Sequence, residues 1–121
     1  MSEEIELAWA AGFFDGEGCT YWVKAGGIVI GVAQVGTEKP EVLIRFQAAV
    51  GGIGKIYGPY KNTKGNPKWT FNASSRDAQA ILTKLWPYLG SVKRAQALQK
   101  ESNYLRESTK RLATLDGLIR A

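Results

Sequence analysis

A chain of 121 residues with 45% hydrophobic residues, four Trp, five Tyr and four Phe is sized for one domain with its own core and is too apolar for disorder. A net charge of +5 comes with no histidine and with Cys19 as the single cysteine, which excludes an internal disulfide, histidine-based acid–base catalysis and an ordinary zinc site. No apolar run reaches the roughly 18 residues of a membrane span, and the acidic start (Glu3, Glu4, Glu6) is unlike a signal peptide, so an intracellular protein is expected.

Ile5 to Phe14 reads as a helix rich in Ala and Leu, apolar around most of its circumference and therefore covered on several sides. Cys19 to Lys24 reads as a strand, Ala25-Gly26-Gly27 as a hairpin turn, and Ile28 to Val35 as the returning strand. Pro40 suits a first helical turn, and Val42, Leu43, Phe46 and Val50 follow at helical spacing until Gly51-Gly52 stops the helix. A second hairpin runs from Ile53 to Tyr60, turns around Asn62 to Asn66, and returns over Pro67 to Asn72. Ser74-Ser75 suits the cap of a helix that reaches Trp86 and ends at Pro87. Residues 91–120 read as helical with a break near Ser108, and Leu98, Leu105, Leu112 and Ile119 recur every seven residues. The order α-β-β-α-β-β-α predicts an α+β fold in one domain, 1–121. It has a four-stranded, mostly antiparallel sheet with helices on one face and a helical C-terminal tail over about 91–121.

The stretch Trp9-Ala10-Ala11-Gly12-Phe13-Phe14-Asp15-Gly16-Glu17-Gly18 starts as a buried helix and ends on two carboxylates separated by glycine. Small residues there let a second helix approach, and a carboxylate at such a junction is placed to hold a metal ion through oxygen. The plain alternative is a glycine-capped core helix with Asp15 and Glu17 merely solvated. The string resembles the signature of the LAGLIDADG homing endonucleases, aligned from Ala10 to Gly18. Ala11, Gly12, Asp15 and Gly18 match its letters and Phe13 and Phe14 fill the apolar positions. Gly16 and Glu17 are common replacements, and Ala10 stands where the family has Leu.

The resemblance implies an αββαββα half-saddle and, for a chain with one motif, a homodimer paired through its first helix at Ala8, Ala11, Gly12, Asp15 and Gly16. It implies that Glu17 and the Gly16 carbonyl hold a divalent metal, Mg²⁺ or Mn²⁺, with Ca²⁺ binding but not supporting cleavage. Asp15 is then mostly structural. Lys93 is implied to project toward the active-site water or scissile phosphate; that match needs a one-residue gap, which makes Arg94 the alternative. Thr37 and Gln34 share a water-network role and a base-reading role in an order left open.

Charge and alternation add a second line of argument. From Gly18 to Arg94 eleven Lys or Arg face three acids, a net +8 that suits a polyanionic partner. In a strand alternate residues share a face, so Trp69 and Phe71 point to the helices while Lys68, Thr70 and Asn72 point away. Likewise Ile56 points in and Lys55 and Tyr57 out, with Lys61 and Lys64 in the loop. A ribbon so decorated fits a major groove, with Lys on guanine, Asn on adenine and loop lysines on phosphate. The first hairpin fits less well. Thr20, Lys24 and Gln34 are its strongly polar members, and its apolar residues are explained by a covered strand, by contact with thymine methyls, or by a protein that no longer cuts. The reading is a site-specific, intron-encoded DNA endonuclease that cuts a long, roughly palindromic duplex by metal-assisted phosphodiester hydrolysis. The alternatives are an RNA maturase or a non-cleaving DNA-binding protein on the same fold, and a protein-interaction domain.

Overall fold

In a computed structural model of the protein, residues 2–23 and 27–98 are described. The elements run α1 (Glu3–Glu17), β1 (Gly18–Trp22), β2 (Ile28–Val35), α2 (Glu41–Ala49), β3 (Lys55–Lys61), β4 (Pro67–Ser74), α3 (Ser75–Leu85), a 3-10 turn (Trp86–Tyr88) and α4 (Ser91–Ala97). The sheet order is β1-β2-β4-β3 and every pairing is antiparallel. Lys24 and residues 99–121, with most of the expected tail and the repeat at Leu105, Leu112 and Ile119, lie outside the described residues.

The Ser2 hydroxyl accepts from the Ile5 N–H at 3.3 Å, and Glu3, Glu4 and Glu6 sit where the helix dipole favours anions. α1 continues three residues past Phe14, to Glu17, because Gly18 lets the chain turn extended against the Phe14 ring; a Cβ at Gly18 would collide with that ring. Ala10, Ala11 and Phe14 are fully buried. Phe14 stacks on Phe46 of α2 at 6.3 Å, and Phe46 meets Phe71 of β4 edge-on at 5.1 Å, so three rings tie two helices to the sheet. Each buried ring contributes roughly 1.5–3 kcal/mol. Arg45 links α2 to α1 from outside: it pairs with Glu6 and lies 3.8 Å from the centre of the Trp9 ring.

β2 has the predicted bounds because Gly27 and Gly36 flank it, whereas β1 stops at Trp22 and the Val23 N–H closes the hairpin on the Gly27 carbonyl at 2.8 Å. β3 begins at Lys55, later than expected. Gly54 (φ 88°) takes a left-handed turn there with its Cα against the Phe71 ring. Gly51 and Gly52, both at positive φ, end α2 as anticipated. Ser74 occupies the cap position of α3, but its hydroxyl makes no capping bond. α1, α2 and α3 cover one face of the sheet, over Ile28, Ile30, Val32, Phe71 and Ala73.

Candidate nucleic-acid interface

The carboxyl end of α1 gathers the chemistry. Glu17 is its last residue and is exposed, with no hydrogen bond or ion pair among the described residues. Its carboxylate stands at the negative end of the helix dipole, so electrostatics there favours a cation. Asp15 is committed elsewhere: both its oxygens accept from the Gly90 N–H, at 3.0 and 3.1 Å, and hold the entry to α4 against α1. That bond brings Lys93 back to the junction, where its ammonium donates to the Gly18 carbonyl at 2.6 Å. Arg94 points away and donates through Nε and Nη2 to the Trp86 carbonyl. Of the two cations, Lys93 reaches the backbone just after Glu17, and Arg94 ties down the 3-10 turn.

No described residue covers the outward side of α1 at Gly12 and Gly16. Gly12 and Gly16, with Ala8 and the half-exposed Ile5, form a stripe opposite the buried Ala10, Ala11 and Phe14. A Cβ at Gly12 or Gly16 would meet nothing among the described residues within 4 Å. Ala11, expected in that stripe, is wholly buried in its own core: it shares a helix face with Leu7 and Phe14.

The second site is the face of the sheet that no described helix covers. Pairing aligns Lys55 with Asn72, Tyr57 with Thr70, and Tyr60 with Lys68, while Ile56 and Phe71 pair on the helix side. Lys68, Thr70, Asn72, Lys55 and Tyr57 thus share one face, as alternation predicted. Lys61 is the last residue of β3, opposite Pro67, and Lys64 lies in the turn that Asn62 holds through bonds to the N–H groups of Lys64 and Asn66. None of these lysines is in an ion pair; Arg45–Glu6 is the one such pair among the described residues. The first hairpin is not covered on both sides. Ile28, Ile30 and Val32 face the helices, and Val29, Ala33 and Val35 face out.

Two expectations change here. Gln34 does not face outward. It has the parity of Ile30 and Val32, pairs with Trp69, and its Oε1 is buried without a partner. Thr37 is exposed at the same end of the sheet as Glu17, and its contribution is its carbonyl, which accepts from Trp69 Nε1 at 3.2 Å. No hydrogen bond joins Thr37 to Glu17 among the described residues. Tyr60 was missed. A register shift at Gly58-Pro59 inserts one residue, so Tyr57 and Tyr60 both land on the outer face. Gly-Pro inside a strand is the signal that could have found it. Tyr21, 47% exposed on β1, joins the same face.

Among the described residues no three His, Cys, Asp or Glu converge on one point. Among the described residues this end of α1 offers one carboxylate without a partner, Glu17, beside the Gly16 backbone. Its donors are oxygen only, a set suited to a hard cation. Among the described residues no helix is long and apolar enough to cross a membrane.

No known family model matches the chain, and no curated protein sequence does. In three dimensions it is similar to the LAGLIDADG meganuclease I-AabMI, a structure bound to uncleaved DNA. The TM-score is 0.60 with 19% identity, over 88% of this chain and 38% of that one. The likeness establishes the fold: the chain has the LAGLIDADG half-saddle, and it spans well under half of its structural neighbour.

Proposed function

We propose that the protein is a divalent-metal-dependent DNA endonuclease that works as a homodimer. The observation that carries this is the pairing of an unpartnered Glu17 at the end of α1 with an uncovered sheet face that presents Lys55, Lys68, Thr70 and Asn72 together. The duplex lies along that face, with β3 and β4 in the major groove and the lysines of the turn on phosphates. A-form RNA has a deep, narrow major groove that such a ribbon does not enter, which favours DNA over double-stranded RNA.

Two copies meet along the Gly12–Gly16 stripe, where no described residue of the chain fills the space. The structural neighbour, 38% covered, has length for two such units, which supports the paired arrangement. Pairing sets two Glu17 carboxylates and two Gly16 carbonyls side by side. A divalent cation held by these oxygens would offset charge on the scissile phosphate and lower the pKa of a bound water. Lys93, anchored on the Gly18 carbonyl, adds a fixed positive charge beside the same phosphate. Asp15 positions the strand of chain that delivers Lys93.

The test is a pool of randomised duplexes incubated with protein and Mg²⁺, with both bound and newly ended molecules sequenced. Wild type is expected to bind and cut. Glu17→Gln is expected to bind the same duplexes and lose cutting by at least about a hundredfold, the scale of a lost electrostatic catalyst. Cutting at an undiminished rate by Glu17→Gln removes the carboxylate's role. Binding without cutting by wild type leaves a DNA-binding protein on this fold.

A further inference from the structure

The uncovered sheet face is split in character along the seam between β2 and β4. On one side Lys68, Thr70 and Asn72, with Lys55, Tyr57 and Tyr60 beyond them, carry hydrogen-bonding groups. On the other, the side chains of Val35, Ala33 and Val29 carry no hydrogen-bonding group. Val35 is 49% exposed, and no described residue covers it. An apolar strip beside unpaired lysines is a poor seat for an apolar protein surface, and the charge beside it calls for a polyanion. The one apolar feature that a base edge shows in the major groove is the C5 methyl of thymine.

We infer that the β2 strip reads thymine methyls, so that each half-site has a methyl-read block next to a block read by hydrogen bonds from β3 and β4. This rests on the DNA-binding reading above. Outward neighbours on a strand stand about 6.6–6.8 Å apart, close to two base-pair steps, so the contacted thymines fall at about every second pair. Gly31 interrupts the strip. The space its Cβ would take lies 3.2 Å from Oδ1 of Asn72, whose amide leans across from β4. The strip thus holds one hydrogen-bonding group, suited to adenine, between Val29 and Ala33.

Deoxyuridine differs from thymidine only by that methyl. Duplexes recovered from the randomised pool are remade with uracil at each thymine in turn, and affinity is measured by gel shift. For wild type, uracil at about every second pair within one block of each half-site weakens binding about threefold to fourfold per contacted position. Ala33→Asn and Val35→Asn, both at exposed positions away from the core, abolish that difference and keep the salt dependence. Their folding is checked by thermal melts. Equal affinity for thymine and uracil copies throughout overturns the inference and leaves DNA binding intact. A uracil penalty that persists in both variants overturns its assignment to β2. Recovery of no duplex at all removes the DNA-binding reading itself.

Discussion

Gly12→Ala separates two forces that act in opposite directions. Inside a helix Ala is favoured over Gly by about 1 kcal/mol, and Gly12 stands mid-helix with room for a methyl in its own chain. A lone subunit should therefore gain stability, raising Tm by about 4 °C for a domain of this size. If two α1 helices pair through this position, the same methyl enters a close contact twice, once from each copy. Overpacking costs about 1–3 kcal/mol per site, or roughly 2–6 kcal/mol for the pair, which weakens dimerisation by at least about thirtyfold. Sedimentation equilibrium over a dilution series reads the association, and melts on the same samples read the fold. The expected result is a variant that melts higher when dilute and fails to dimerise where wild type does. A variant that melts higher at every concentration and associates as wild type would refute the pairing through Gly12.

Asp15→Ala should cost about 1–2 kcal/mol of stability, since the Gly90 N–H loses a charged acceptor, and denaturant melts will show it; unchanged stability would contradict its anchoring role. Lys55→Ala and Lys68→Ala should weaken DNA binding and alter its salt dependence, the log–log slope falling by about one for each lysine that contacts phosphate; a lysine that contacts base edges instead leaves the slope and relaxes sequence preference. The hydrogen bond from Arg45 holds the Glu6 carboxyl below its ordinary value. Because the folded pKa is the lower one, the pair's stabilisation is present above the unfolded value of 4.5 and is lost as pH falls through the folded one. In acid titrations monitored by circular dichroism, Glu6→Gln should flatten the dependence in that window and change nothing at neutral pH beyond the loss of the pair.

Much of this arrangement was readable from the residues alone, for identifiable reasons. β2 is bracketed by glycines, and β4 alternates Lys-Trp-Thr-Phe-Asn so sharply that its two faces are unambiguous. The motif string drew attention to Glu17, which ends α1, and the residues after Pro87 to Lys93, whose ammonium reaches the Gly18 carbonyl. What escaped was orientation wherever both faces look alike. α1 is small and apolar nearly all round, so only the packing of Phe14 and Leu7 decides that Ala11 faces inward while Gly12 does not. Gln34 was given a base-reading or water-network role by the resemblance alone, yet parity with Ile30 and Val32 carries it inward. Tyr60 depended on a register shift that breaks the alternation from which it would have been read.

The same shift governs how the molecule behaves when crowded. β3 forms one margin of the sheet, and a margin with an unbroken row of free amides invites stray strand pairing and fibre growth. Here Gly58-Pro59 buckles that row and removes one amide from it, and at the opposite margin β1 is only five residues long. The protein can thus leave a broad sheet surface open to solvent without offering either rim as a template for polymerisation.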